Sequence, residues 1–183
     1  MRADAARSVA RILDATVDAL ASDPEASMAE IARRAGVVRA TIYVHFPNRE
    51  ALIEAVTHRA MSDVLAVIEA AEPDDGDPAD ALRRVVQSAW RTLGRYHALV
   101  AINTRLPQSE MQRKHAPVRS GFEALIERGQ RSGAFRSDVP AAWHVSMIVA
   151  LVHAASAEVS DGVVDEAAAE AALVDTVLGA VCA

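Results

Sequence analysis

Residues 27–49 read SMAEIARRAGVVRATIYVHFPNR, and the short helices that this segment predicts organise the rest of the chain. Ser27 and Glu30 have the spacing of a capping box, in which each side chain accepts a hydrogen bond from a backbone N–H at the start of a helix. Gly36 can take the left-handed backbone conformation that ends a helix. Pro47 ends a second helix, because the residue before a proline is disfavoured in the helical conformation. The segment therefore predicts a helix-turn-helix.

The polar residues of this segment indicate binding to nucleic acid. Between Ile31 and Arg49 there are four arginines and no acidic residue, although the whole chain carries a formal net charge of -6. The second helix also carries Thr41, Tyr43 and His45, whose side chains can donate hydrogen bonds to phosphate oxygens. Cations displace counterions from DNA, and short donors fix the register of a protein on the backbone. By charge alone, a solvated arginine face on an ordinary helical hairpin explains the run equally well.

The residue pattern resembles the DNA-binding segment of the tetracycline-repressor (TetR) family of bacterial transcription regulators. The resemblance is carried by I-A-x-x-A-G-V at residues 31–37, T-x-Y-x-H-F at residues 41–46 and N-R-E-A-L at residues 48–52. Residues 11–22 resemble the first helix of the family, and residues 127–140 resemble a stretch that precedes its dimerisation helices. The resemblance is specific in the N-terminal third of the chain and approximate beyond it.

The sequence predicts an all-α chain of two domains. Hydrophobic residues make up 51% of it, which is ample for a core, and abundant alanine favours helices. We predict a helix-turn-helix DNA-binding domain at residues 1–47 and a C-terminal ligand-binding and dimerisation domain at residues 48–183. A helix from Asn48 to about Ala71 would join the two domains.

Three features divide the predicted C-terminal bundle. Residues 72–80 contain four aspartates, two prolines and a glycine, and form the clearest break in the chain. Residues 103–114 show little periodicity and are predicted to be a loop. Pro117 is predicted to open the helix that follows this loop, and Asp138 to cap the helix that begins at Pro140.

The last two helices are predicted to form a homodimer interface. Both are apolar over more than one face, and the resemblance implies the same interface. Small side chains along them would let two backbones approach closely; they are Ala154, Ala155, Ala157, Ala168, Ala171 and Ala172. The alternative is a hairpin that is fully internal to one chain.

Several classes of protein are disfavoured by what the sequence lacks. A single cysteine, Cys182, excludes an intrachain disulfide framework and a cysteine-based zinc site. Signatures of nucleotide-binding, hydrolase and di-iron proteins are missing, so neither catalysis nor a metal or other cofactor is expected. The sequence has no secretory signal and no apolar run near the ~20 residues of a membrane span, which predicts a cytoplasmic protein without a membrane partner.

The resemblance implies roles in DNA binding for six residues. Arg39 and Thr41 would read the major groove. Tyr43, His45 and Arg49 would contact phosphates. Ser27 would place the N-terminus of its helix against the DNA backbone. The sequence departs from the family at Val38, where a small or hydroxyl residue is frequent, and at Val44, where a polar reader is frequent. Val38 predicts one missing cap or phosphate contact, and Val44 predicts contact with a thymine methyl group.

The sequence therefore predicts a sequence-specific DNA-binding regulator, a homodimeric repressor that a small-molecule effector releases from a palindromic operator in double-stranded DNA. The resemblance also implies an effector pocket, although an ordinary core explains its candidate residues equally well. These are Trp90, Tyr96, His97, Asn103, Arg105, Trp143, His144 and Met147. The competing hypotheses are a helical ligand-binding or scaffold dimer that has lost DNA binding and, more remotely, an enzyme of the helical-bundle type.

Overall fold

The computed structural model describes residues 2–103 and 108–182, and within them the regular secondary structure is helical apart from one isolated bridge between Phe135 and Cys182. The chain divides into two compact units, Met1–Ala60 and Met61–Ala183. The prediction of an all-α fold is confirmed.

The N-terminal unit is built around the predicted helix-turn-helix. Helix α1 packs against α2, and α2 packs against α3. Buried isoleucines join the three helices, since Ile12, Ile31 and Ile42 are all completely removed from solvent. The helices of this unit are α1 (Arg2–Ser22), α2 (Met28–Arg34), α3 (Arg39–His45) and the first turns of α4 (Arg49–Ala70).

The predicted domain boundary after Pro47 falls earlier in the chain than the limit of the N-terminal unit at Ala60. The first half of α4 is part of that unit, because Leu52 and Val56 are completely buried. Arg59 also donates a hydrogen bond of 2.8 Å to Asp14 of α1. The proline marks a break in local helical structure, whereas packing continues for three further turns of helix.

The C-terminal unit is a helical bundle in which α8 packs against α6, α7 and α9, and α5 packs against α7 and α9. Asp77 caps α5 by accepting hydrogen bonds from the backbone of Ala79 and Asp80. The elements after α4 are α5 (Pro78–Leu93), a 3-10 turn (Gly94–Tyr96), α6 (His97–Asn103), α7 (Gln108–Ser132), α8 (Ala141–Ser160) and α9 (Glu166–Val181).

The predicted loop at residues 103–114 is wrong where the structure describes it, because α7 begins at Gln108 and carries Pro117 in its interior. Residues 104–107 lie outside the described residues. Pro117 removes one backbone hydrogen bond from the helix. The buried side chains of His115 and Val118 on either side of it show that tertiary packing compensates for this loss.

Asp138 does not cap α8 as predicted. Pro140 occupies the N-cap position, without a side-chain hydrogen bond. Asp138 pairs instead with Arg136, whose Nε lies 2.6 Å from Oδ1, and this hydrogen bond lowers the pKa of the Asp138 carboxyl. At its other end α8 is followed by Gly162 with a φ of +71°, the left-handed conformation that ends a helix.

Helix α8 is apolar along most of its length. Among the described helices it alone is long and apolar enough to cross a membrane, although one such helix is weak evidence of a membrane span. Only 22% of its most apolar 18-residue window is buried within the chain. Most residues of this window are therefore at least partly exposed in the isolated chain.

Candidate DNA-binding surface and ligand cavity

Half of the predicted capping box at the start of α2 is formed. Ser27 Oγ accepts a hydrogen bond of 3.2 Å from the backbone N–H of Glu30. The Glu30 carboxylate is engaged by two arginines of its own helix, with Arg33 Nη2 at 2.7 Å and Arg34 Nε at 2.8 Å. Hydrogen bonds from Arg33 and then Arg34 lower the pKa of Glu30 from 4.5 to about 2. Ion pairs thus take the place of the reciprocal half of the box.

These ion pairs reduce the positive charge that the arginine run presents. Glu30 lies one residue before the stretch from Ile31 to Arg49 that has no acidic residue. Its carboxylate neutralises part of the positive charge of Arg33 and Arg34. Arg34 also reaches α1, where its Nη1 donates to the carbonyl of Asp18 at 3.2 Å and to Ser22 Oγ at 3.3 Å. Arg34 therefore holds α2 against α1. The spacing of Glu30 to Arg33 and Arg34, three and four residues along a helix, is the sequence signal for this arrangement.

The turn between α2 and α3 has the predicted geometry. Gly36 has a φ of +64°, and the N–H of Val37 bonds to the carbonyl of Ala32 at 3.0 Å, which closes α2. Val38 is the N-cap of α3 and makes no side-chain cap hydrogen bond. The missing cap predicted from Val38 is confirmed.

Helix α3 has one buried face and one exposed face. Ile42 and Phe46 are 0% and 8% exposed and hold the helix in the unit. The opposite side, which we call the α3 outer face, consists of the exposed residues Arg39, Ala40, Tyr43 and Val44. Thr41 and His45 are half-buried at its edges. The structure thus brings four of the six predicted DNA-binding residues together on or beside one surface.

The α3 outer face combines a cation with apolar groups. The Arg39 guanidinium lies 5.8 Å from the centre of the Tyr43 ring, within the range of a cation–π contact. Val44 is 80% exposed and Val38, just before the helix, is 70% exposed. Apolar side chains this accessible on a short helix gain nothing from the core, so they are available to a partner.

Arg49 and Ser27 are engaged within the protein. Asn48 caps α4 by accepting a hydrogen bond of 2.8 Å from the N–H of Ala51. Arg49, in the first turn, donates from Nη2 to the carbonyl of Pro24 at 2.5 Å, and its Nε is buried. Arg49 therefore ties the start of α4 to the loop between α1 and α2, while Ser27 caps α2.

We expect Arg49→Ala to lower the free energy of unfolding of the N-terminal unit by about 1–3 kcal/mol, because the Pro24 carbonyl loses a charged hydrogen-bond donor. Urea unfolding without DNA, followed by circular dichroism, measures this. Arg39→Ala is the matched control and should change stability by less than about 0.5 kcal/mol, since Arg39 is exposed. Unchanged stability of Arg49→Ala would contradict a structural role for the Arg49 side chain.

The C-terminal unit contains a small apolar cavity. The cavity has a volume of about 50 Å³. Helices α4 to α8 provide the lining, which is Met61, Val64, Ala89, Leu93, Val100, His115, Val118, Phe122, Ile148, Val149, Val152 and His153.

Two histidines are the polar groups of this lining. Nε2 of His115, on α7, lies 3.3 Å from Nε2 of His153, on α8, and the ring centres are 5.2 Å apart. Burial, and then the neighbouring His115, lower the pKa of His153 from 6.5 to about 4. His153 is therefore neutral at pH 7. Sequence reasoning missed both residues, because nothing in their spacing indicates that they meet.

The residues predicted to line an effector pocket do not line this cavity. Trp90, Tyr96 and His97 are buried in the bundle, with the Trp90 and His97 ring centres 4.7 Å apart. The hydroxyl of Tyr96 donates to Asp63 at 2.6 Å. Trp143 is 65% exposed. The remaining candidates are Asn103 and His144, which are buried, Met147, which is half-buried, and Arg105, which lies outside the described residues.

We expect the C-terminal unit to lose stability on acidification. An unfolded histidine takes up a proton below pH 6.5. Folded His153 takes one up only near pH 4, so the free energy of unfolding should fall between these values. The expected loss is about 1–2 kcal/mol from pH 7 to pH 5. Urea unfolding followed by tryptophan fluorescence reports on this unit, because Trp90 and Trp143 are the two tryptophans of the chain. An identical loss in His153→Leu would contradict the assignment to His153.

The fold and the α3 outer face together define a helix-turn-helix DNA-binding protein with a separate helical body. Residues 12–56 match the family model described as bacterial regulatory proteins, tetR family. Residues 77–181 match the model described as the C-terminal domain of SbtR-like transcriptional regulators. This chain belongs to the TetR family of bacterial transcription regulators, and it is a DNA-binding regulator of transcription.

Individual relatives agree with this assignment. The chain is 32% identical over 151 residues to the transcriptional repressor LfrR of Mycolicibacterium smegmatis, covering 82% of this chain and 78% of LfrR. The structure of LfrR in complex with proflavine has a TM-score of 0.69 at 30% identity, over 93% and 94% of the two chains. The fatty acid degradation regulator FadR of Bacillus halodurans has a TM-score of 0.79 over 94% and 95% of the chains. At 20% identity, this last likeness concerns the fold alone.

Proposed function

We propose that this protein is a homodimeric repressor that binds a palindromic operator through α3 and is released from it by a small-molecule effector. The α3 outer face carries this proposal. It presents Arg39, Tyr43 and Val44 to solvent, while Ile42 and Phe46 anchor the same helix in the core. A helix of this kind can enter the major groove of DNA with its exposed side toward the bases.

Within this proposal the residues have different tasks. Arg39, with Thr41 beside it, reads base edges, and Val44 contacts a thymine methyl group. Tyr43 and His45 contact phosphates. The positions of Ser27 and Arg49 support a task in holding the helix-turn-helix together.

A gel shift with the DNA upstream of the gene that encodes this chain tests DNA binding. We expect a shifted complex whose affinity falls steeply with salt, because phosphate contacts release counterions. Unrelated DNA of the same length is the control. Equal affinity for both fragments at every salt concentration would instead favour a helical protein that has lost sequence-specific binding.

Arg39→Ala should relax sequence preference at one base position of each half-site. Loss of a bidentate contact to a base costs about 1–3 kcal/mol of discrimination. Tyr43→Phe is the comparison variant, because it removes one phosphate donor and should weaken binding to all sequences about equally. Competition binding with operator variants measures both effects. A uniform loss of affinity in Arg39→Ala, with its preference intact, would identify Arg39 as a phosphate contact.

The proposed dimer forms through α8 and α9. Helix α8 is apolar, yet most of its residues are at least partly exposed in the single chain, and the alanines of α9 at positions 168, 171 and 172 are exposed. Between the two helices lies an apolar groove that includes Leu151, Ala154 and Leu173. A second copy of the chain would bury this surface, and two heads related by a two-fold axis require inverted half-sites.

The proposed effector site is the cavity of the C-terminal unit. LfrR is a repressor whose structure contains proflavine, which supports effector control here. Met61 and Val64 of α4 line the cavity, and α4 begins immediately after the helix-turn-helix. A ligand in the cavity therefore contacts the helix that leads to the DNA-binding head. It can release DNA only by its difference in affinity for the DNA-bound and free conformations.

Calorimetric titration of an effector into free and operator-bound protein tests this control. Operator DNA must weaken effector binding by the same factor by which the effector weakens DNA binding. Equal affinities in the two titrations would show that the compound is not the inducer. The proposal also includes a cytoplasmic location and the absence of enzymatic activity, both of which the regulators in this family support.

A further inference from the structure

We infer that the cavity binds an apolar weak acid, a carboxylic acid or phenol whose acidic group hydrogen-bonds to the pair formed by His115 and His153. The inference rests on the proposed function, because it names the chemical class of the effector for the proposed site. It is carried by two adjacent imidazoles in a lining whose other described residues are apolar.

The geometry of the pair limits its charge. With 3.3 Å between the two Nε2 atoms, one ring donates its N–H and the other accepts. A second proton would place two imidazolium ions next to each other, with ring centres 5.2 Å apart, in an apolar site, which is unfavourable. The pair therefore carries either no charge or one positive charge, and one charge can be matched by one carboxylate or phenolate.

Among the described residues that line the cavity, His115 is the titratable neighbour of His153. Helix α7 contributes His115, and the backbone of Val100 on α6 acts on the His153 pKa in the opposite direction to burial. The side chains that α4 and α5 present to the cavity are apolar; they are Met61, Val64, Ala89 and Leu93. Among the described residues that line the cavity, none carries a carboxylate that could balance a permanently cationic ligand.

Net charge explains why a weak acid is favoured. Burying an isolated ion in an apolar site is costly. A weak acid avoids this cost, because its proton lies between the acid oxygen and an imidazole nitrogen, and the site stays neutral overall. An acid that is ionised in solution must therefore take up one proton from water as it binds. One anion and one proton thus combine with the neutral histidine pair to form one neutral complex.

Isothermal titration calorimetry with benzoate and octanoate, in two buffers of different ionisation enthalpy, tests this inference. We expect uptake of about one proton per bound acid between pH 6 and pH 8, because both acids are ionised there. The apparent Kd should then rise about tenfold per pH unit. Benzyl alcohol, which matches benzoate without its acidic group, should bind without proton uptake and independently of pH.

His153→Gln keeps a polar side chain of similar size but cannot accept the proton. The variant leaves His115 as the imidazole in the cavity, so it should lose about tenfold or more of the benzoate affinity at pH 6. His58→Gln is the matched control, since His58 lies on α4 in the N-terminal unit and is exposed. The number of protons that the wild-type protein takes up per bound acid is measured without any variant. This measurement therefore remains informative if His153→Gln fails to fold.

Absence of measurable binding by both acids would overturn the inference, as would a benzoate affinity that is unchanged in His153→Gln. The affinity of the protein, without bound acid, for the DNA upstream of its own gene is measured in parallel. Loss of that DNA binding counts against the proposed function, whereas acid binding without proton uptake counts against the present inference alone.

Discussion

Ala154→Arg should convert the protein to a monomer at micromolar concentration and weaken its binding to an inverted-repeat operator by at least about a hundredfold. Ala154 is exposed in the single chain and lines the groove between α8 and α9, so the substitution leaves the fold of the chain intact. In a two-fold symmetric interface it introduces a long, charged side chain twice. Removing such a charge from water costs several kcal/mol, even beside Glu158, which lines the same groove.

Sedimentation velocity and DNA-binding titrations measure the two effects. Ala124→Arg is the matched control, because Ala124 is also an exposed alanine but lies on α7, away from the groove. It should remain dimeric and bind DNA normally. An Ala154→Arg protein that is still dimeric would contradict the placement of the interface on α8 and α9.

Trp90→Ala should lower the free energy of unfolding of the C-terminal unit by about 3–5 kcal/mol, which is typical of removing a large aromatic side chain from a core. Trp90 is completely buried, its ring lies against His97, and its Nε1 donates to the carbonyl of Glu166 at 3.3 Å. The loss would be a large part of the stability of a domain of this size.

Trp90→Phe separates packing from hydrogen bonding, because it keeps an aromatic ring and removes the N–H donor. Its expected cost is smaller, about 1–2 kcal/mol. Urea unfolding followed by circular dichroism compares the variants. If Trp90→Ala is as stable as the wild type but binds effector poorly, then Trp90 is a ligand contact, as its sequence context suggested, and its packing role is minor.

Local patterns predicted the helix-turn-helix well, because short-range chemistry determines its boundaries. Gly36 takes the left-handed conformation that its position requires, and Asn48 caps α4. The same reasoning failed for Glu30 and Pro117. Glu30 has two arginines within reach on its own helix, and their charges compete for it with the backbone N–H of Ser27. Pro117 stays within a helix because packing on both sides of it outweighs one missing hydrogen bond.

The cavity of the C-terminal unit could not be predicted from sequence, for a different reason. His115 and His153 lie on α7 and α8 and meet only when these helices pack. Large or polar residues on apolar helices, such as Trp90 and Trp143, suggested a pocket wall. In the folded chain Trp90 is completely buried and Trp143 is 65% exposed. This difference depends on how each helix is oriented in the bundle and not on the type of residue.

Selection of bound fragments from a pool of random double-stranded DNA tests whether a dimer reads sequence through α3. The expected outcome is an enriched inverted repeat with half-site centres about 10 bp apart, or a multiple of that spacing. Selection with Arg39→Ala should return the same repeat with one position in each half-site degenerate. A pool that remains random, or a single unrepeated motif, would contradict dimeric, sequence-specific binding through this helix.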